Sequence, residues 1–201
     1  MADTARTRVL TETFWHAEGT QLLLKRLLLV LTGVAVLALT AKIQVPLWPS
    51  PVPITMTSFA VLTIGAAYGP RLGLVTILAY LGIGALGWDV FAGSSAETNG
   101  IAYMLGGTGG YLLGYLLATL ALGEAARRGL DRSVAGMAGA LALGTALIYI
   151  PGILWLGVLY GWDQPILAWG LYPFLIGDAL KAILAALLVP GLWKLLGATR
   201  T

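Results

Sequence analysis

Tyr172-Pro173-Phe174-Leu175-Ile176-Gly177-Asp178-Ala179-Leu180-Lys181 opens the last long apolar segment of the chain, Leu171 to Leu196. Away from the span ends, Asp178 and Lys181 are the only acid and base in any segment that reads as membrane-spanning. A charge at the centre of a membrane helix costs about 2.5–3.5 kcal/mol on insertion scales, so two unpaired charges would cost about 5–7 kcal/mol. Something must compensate. Positions three apart share a helix face, so the two side chains can answer each other or grip one ligand between them. A structural ion pair that locks helix packing is the competing reading. Intramembrane ionisable residues default to function, which favours the ligand.

Composition sets the frame for that stretch. Of 201 residues, 58% are hydrophobic and 10% charged, whereas about a quarter of residues in a soluble domain are charged. With a mean hydropathy of +0.86, the class is a polytopic membrane protein. No cysteine is present, which removes thiol catalysis, disulfides and thiolate metal sites. The single His16 lies in the polar N-terminal segment, so no histidine metal centre is expected in the membrane. No G-x-x-x-x-G-K-[ST] pattern occurs, so any ATP that drives this protein is bound by another subunit. The net charge of +3 does not imply nucleic acid, because the basic residues sit at helix ends.

The chain divides into a polar N-terminal segment (1–21), a single six-helix membrane domain (22–196) and a C-terminal tail (197–201). The N-terminal segment lacks the apolar core of a signal peptide. Leu10, Phe14 and Trp15 suit a short interfacial turn, with a frayed tail as the alternative. Leu22 to Ala41 is the first span, long enough for a bilayer core of about 30 Å. Its small residues Gly33, Ala35, Ala38 and Ala41 allow close approach, either of the chain's own helices or of a partner helix. Lys42 to Pro53 is a stiff, extended loop with four prolines, Pro46, Pro49, Pro51 and Pro53. Ile54 to Tyr68 and Leu72 to Leu86 are the second and third spans, joined by a tight turn at Gly69-Pro70-Arg71. A polar connection carries Trp88, Asp89, Phe91, Glu97 and Asn99. Gly106-Gly107-Thr108-Gly109-Gly110-Tyr111 then leads into the fourth span. The fifth lies in Val134 to Tyr160, with a kink expected at Pro151-Gly152.

Six spans put both termini on one side. Arg6, Arg8, Lys25, Arg26, Arg71, Arg127, Arg128, Arg132, Lys194 and Arg200 fall on that side, against Lys42 alone on the other. That asymmetry makes the termini cytoplasmic. Spans two, four and six then begin outside, near Thr55, Gly110 and Pro173, and present N–H groups and partial positive charge there. Asp178 lies about 8–10 Å below the outer surface at 1.5 Å per residue. The glycine run lets main-chain N–H groups approach a ligand, although packing is its commoner use. Tyr111, Tyr103, Phe91 and Trp88 suit apolar walls. The pocket so described suits a compact ligand with an amide-like group for Asp178 and an anionic tail or carbonyl for Lys181 or the helix ends.

Five ordered blocks together resemble the BioY family: Ala41-Lys42-Ile43-Gln44-Val45-Pro46, Pro51-Val52-Pro53-Ile54-Thr55-Met56, Val90-Phe91-Ala92-Gly93, Thr108-Gly109-Gly110-Tyr111-Leu112-Leu113-Gly114-Tyr115 and Gly177-Asp178-Ala179-Leu180-Lys181. The resemblance runs from about Leu22 to Leu196. It implies six membrane helices and capture of biotin from outside by the substrate-binding component of an energy-coupling-factor transporter. It also implies a transmembrane coupling protein and two ATPase subunits as partners, no cofactor of the chain's own, and the inner membrane of a bacterial cell. Asp178 and Lys181 are implied ligand contacts, and Lys42 to Pro53 an implied gating lid. The candidate contacts are Asp178, Lys181, Thr55, Phe91, Thr108, Gly109, Gly110, Tyr111 and Lys42. The chain departs from the family pattern at Thr57, Trp88, Asp89, Gly107 and Thr145. Those departures motivate an alternative ligand, another small vitamin or heterocycle. A small lipid-modifying enzyme is a further alternative, for which one Asp and one Lys make a thin acid–base set.

Overall fold

A computed structural model describes residues 8–14, 17–95 and 98–197. Arg6, Trp15, His16, Glu97, Arg200 and the tail beyond Gly197 lie outside the described residues, as does the side chain of Phe14. Long apolar runs fold as helices because hydrocarbon offers the backbone no other partner. Five helices are long and apolar enough to cross a membrane: α2 (Gly19–Lys42), α3 (Thr57–Ala85), α5 (Gly109–Arg127), α6 (Val134–Tyr160) and α8 (Tyr172–Gly197). Short elements fill the connections: α1 (Leu10–Phe14), β1 (Gln44–Val45), β2 (Ile54–Thr55), α4 (Gly100–Met104), a 3₁₀ turn at Leu130–Arg132, and α7 (Ile166–Gly170).

Helix α3 is two arms. Gly69 sits inside it at φ 76°, ψ 174°, a conformation open to glycine and set extended by the following Pro70. The arms fold back on each other: a Cβ built on Gly73 would lie 3.6 Å from Gly65 Cα. The turn expected at Gly69-Pro70-Arg71 is therefore present. Helix α5 packs between α3 and α6. Lipid gives no hydrophobic drive between helices, so close approach through small residues does the work. A Cβ at Gly114 of α5 would come within 2.6 Å of Ile148 Cα on α6. Helix α6 is uninterrupted through Pro151.

The small residues of α2 divide between two faces. Gly33 and Ala41 are buried, and Gly33 sits against Thr76 and Tyr68 of α3. Ala35 is exposed, alongside Leu27, Leu31 and Leu39. The buried half of the stripe thus serves the chain's own packing.

Three expectations need correction. The first loop is extended, yet its ends pair: β1 and β2 form an antiparallel ribbon with Gln44 opposite Thr55, so the fold is not purely helical. That pairing draws Ile54 and Thr55 out of the second span, which starts at Thr57. The polar connections also hold two five-residue helices, α4 and α7, too short to carry a hydrophobic period. The ribbon, α4 and α7 gather at the end of the bundle where α2 finishes and α3, α5 and α8 begin. Helix α1, the Gly69 turn and the 3₁₀ turn lie at the other end.

Candidate functional site

Helix α8 opens with Tyr172-Pro173, and proline is tolerated in a first turn because the N–H there lacks a helical partner anyway. One to two turns further in, Lys181 Nζ and Asp178 Oδ1 are 2.7 Å apart, with the side chains 11% and 14% exposed. Lys181 also donates to the Thr55 carbonyl at 2.6 Å and to Ser58 Oγ at 3.2 Å. An ammonium has three donors, so Lys181 is satisfied within the chain and ties α8 to the start of α3. Asp178 Oδ2 accepts from the Tyr149 hydroxyl at 2.5 Å. Its Oδ1 receives a longer contact from the Ser58 hydroxyl at 3.4 Å. An ionised carboxylate has about four acceptor positions. Asp178 therefore keeps capacity for one more donor.

That capacity opens onto a cavity with about 600 Å³ of atom-free space. Asp178, Lys181, Ser58 and Tyr149 form its polar end, and Tyr80, Phe91, Tyr103, Tyr111, Tyr115 and Phe174 its walls. Phe91 is held in place from both sides. It stacks on Tyr103 at 4.9 Å between centroids and meets Tyr80 edge-on at 5.3 Å. Tyr111 is anchored by a hydrogen bond of its hydroxyl to the Gly170 carbonyl at 2.7 Å. Flat walls with a charge-bearing end suit a ring with N–H donors.

Val52 and Pro53 of the first loop close the cavity on the far side. The Ser50 hydroxyl donates to the Trp169 carbonyl of α7 at 2.7 Å. Lys42 Nζ reaches Asp89 Oδ1 at 2.6 Å and the Phe91 carbonyl at 2.9 Å, while the Ser94 hydroxyl also donates to Asp89. The bonds from Lys42 and Ser94 hold the Asp89 carboxyl below the usual carboxylate range. A second, outer space lies beneath the same loop. It shares Pro53, Ala92, Tyr103 and Thr108 with the inner cavity, so those four side chains separate the two.

Of the candidate contacts, Asp178, Lys181, Thr55, Phe91, Thr108 and Tyr111 line the cavity. Lys42, Gly109 and Gly110 do not. Lys42 fastens the cap instead. The glycines serve packing: a Cβ would lie 2.2 Å from the Met104 carbonyl oxygen at Gly109 and 2.3 Å from that of Pro151 at Gly110. Thr55 contributes its carbonyl to Lys181 and precedes the helix rather than starting it. Trp88 is exposed and forms no wall. Sequence reasoning missed Tyr149, Ser58, Tyr80 and Tyr115 as lining residues, and met Thr57 only as a departure from the family pattern. The available signal for Ser58 was its place three residues after Thr55, and for Tyr149 a hydroxyl in mid-span.

A family model described as "BioY family" matches residues 10–198. A protein of Pyrococcus horikoshii described as "Probable biotin transporter BioY" is 37% identical over 164 residues, covering 82% of this chain and 93% of its own length. "Biotin transporter BioY" of Thermotoga maritima is 30% identical over 161 residues, covering 80% and 91%. The crystal structure of "the S-component for biotin from an ECF-type ABC transporter" superposes with a TM-score of 0.76 at 24% identity, over 89% of this chain and 95% of that one. That likeness supports the fold.

Proposed function

The chain belongs to the BioY family, and from that premise we propose that it is the biotin-binding component of a vitamin uptake transporter in the inner membrane of a bacterial cell. It is a membrane protein of a transporter family rather than an enzyme. The observation that carries the biotin reading is the cavity itself. A carboxylate with one acceptor position left over faces an aromatic-walled space at the end of the bundle closed by a short loop. A ureido ring supplies N–H donors for Asp178 and a flat apolar body for Phe91, Tyr103 and Tyr111. The pair in lipid is then stabilised by its own hydrogen bonds, and the ligand adds to them.

Counting the two arms of α3 separately gives six crossings with both termini cytoplasmic, in keeping with the distribution of Lys and Arg. The cavity then opens outward, and uptake is capture from the exterior. A transmembrane coupling protein and two ATPase subunits drive release inside, since the chain carries no phosphate-binding loop of its own. ATP is consumed by those subunits alone. The first loop, Lys42 to Pro53, acts as the lid.

A second reading, another small vitamin or heterocycle in the same architecture, rests on the departures from the family pattern. Of the five, Thr57 alone lines the inner cavity. It is 2% exposed, and its hydroxyl has no hydrogen-bond partner. Trp88, Asp89, Gly107 and Thr145 lie elsewhere, which favours biotin. The test is a binding isotherm of the purified chain against a panel of vitamins. Biotin should bind tightest, and Asp178→Asn should weaken it by well over about tenfold, the loss expected for a buried charge-assisted hydrogen bond. Displacement of labelled biotin by another vitamin at lower concentration favours the second reading. Unchanged affinity in Asp178→Asn removes Asp178 from the site.

A further inference from the structure

The end of the bundle opposite the ligand cavity holds a separate, basic cavity with about 950 Å³ of atom-free space. It forms where α1, the start of α2, the Gly69 turn of α3 and the end of α5 meet. Lys25, Arg26, Arg71 and Arg127 line it, and Glu12 is the one carboxylate in the lining. Arg127 already holds Glu12 with both arms of its guanidinium, Nη1 to Oε2 at 2.8 Å and Nη2 to Oε1 at 2.5 Å. The Thr11 hydroxyl donates to the Ala67 carbonyl at 3.1 Å, which fixes α1 as a wall. Lys25 is 5% exposed, whereas Arg26 and Arg71 stand exposed at the rim.

Four cations around one engaged carboxylate make an electropositive concavity that attracts an anion. Guanidinium forks match phosphate oxygens in pairs. The lining does not stay polar. It continues through Leu29, Leu72 and Val75, and Val75 is exposed along with Leu23, Leu24 and Leu27 of α2. A soluble anion would use the basic rim and leave this apolar continuation unused. A lipid uses both. We propose that the cavity binds the headgroup phosphate of an anionic phospholipid, with Arg26 and Arg71 on its oxygens and an acyl chain along Leu72 and Val75. The inference rests on the chain being embedded in a bilayer and is independent of which vitamin fills the other cavity.

The test uses the full chain in nanodiscs of equal phosphatidylglycerol and phosphatidylcholine, with retained lipid counted by native mass spectrometry. Wild type should retain phosphatidylglycerol in preference. A basic side chain near an anionic surface contributes about fivefold, so Arg26→Gln with Arg71→Gln should cut retention by about thirtyfold. Arg128→Gln with Lys194→Gln removes the same charge at the same end but outside the cavity, and should leave retention near wild type. An unchanged circular-dichroism spectrum and thermal midpoint in both pairs report that the fold survives. If the glutamine pair does not fold, Arg26→Lys with Arg71→Lys keeps charge but loses the fork, and retention should fall several-fold. Equal retention of the two lipids, equal loss in both glutamine pairs, or no loss in the lysine pair overturns the proposal. Release of phosphatidylglycerol by millimolar inorganic phosphate assigns the site to a free anion and overturns it too.

Discussion

The Tyr149 hydroxyl shows what one atom contributes in this bundle. Its bond to Asp178 Oδ2 at 2.5 Å compensates one oxygen of a carboxylate that is 14% exposed. The ring itself is held independently, edge-on to Tyr111 at 6.3 Å and to Phe174 at 6.4 Å. Tyr149→Phe should therefore keep the packing and lose only the bond. Hydrogen bonds to charged groups contribute about 1.5–3 kcal/mol, so the thermal midpoint of the detergent-solubilised variant should fall by several degrees. An unchanged midpoint would mean that the hydroxyl does not support the carboxylate. The sequence made Asp178 and Lys181 conspicuous because charge inside an apolar run is costly unless something compensates it, whether a structural pairing or a ligand. It could not show that Lys181 is saturated by Thr55, Ser58 and Asp178. That depends on where the Thr55 carbonyl falls, and strand pairing two residues before a helix sets it. Tyr149 was hidden for a related reason: an aromatic in a membrane span reads as packing or interface until its hydroxyl is seen to meet a charge.

At the scale of elements, the cap is fastened by few bonds. The pair between Lys42 and Asp89 has side chains 39% and 61% exposed, and exposed pairs contribute about 0–1 kcal/mol. Asp89→Asn should accordingly change biotin affinity by less than about fivefold. Association and dissociation should both quicken, because Lys42 also holds the Phe91 carbonyl at the cavity wall. Stopped-flow tryptophan fluorescence reads both rates, and unchanged rates would mean that the cap does not gate entry. The Asp89 carboxyl is held below its ordinary range by Lys42 and then Ser94. The pair is thus intact above that range and is lost only as pH falls through the lowered value. Wild-type rates should be flat between about pH 5 and 8. The long helices were legible because each fills a bilayer with apolar residues. The ribbon, α4 and α7 were not, since two to five residues carry no readable period. The glycine run left a ligand cradle and helix packing both open, because close backbone approach looks the same whether the neighbour is a guest or the carbonyls of Met104 and Pro151.

For the whole molecule, the decisive piece is α8, which closes the bundle against α6 and α3 while only 22% of its most apolar window is buried. So exposed a helix depends on ties at its ends. Lys181 ties one end to the start of α3. At the other, Trp193 Nε1 donates to Asp131 Oδ2 at 2.5 Å, and the Arg132 guanidinium lies 4.8 Å over the same indole. Asp131 is 1% exposed, and its Oδ1 has no hydrogen-bond partner. Burial therefore pushes its carboxyl above the usual range, although the Trp193 bond and Arg132 pull the other way. Protons then bind the folded state more tightly than the unfolded one. The stability from this group is fully present below the unfolded aspartate value and is lost as pH rises through the raised one, at no more than about 1.4 kcal/mol per pH unit for one proton. Asparagine at this position still accepts from Trp193 and has no charge to lose. The thermal midpoint of Asp131→Asn relative to wild type should therefore rise as pH increases from the ordinary aspartate range and level off above the raised value, read by intrinsic fluorescence in detergent. Parallel curves would mean that Asp131 titrates alike in the folded and unfolded states and that its burial does not couple the stability of this end of α8 to pH.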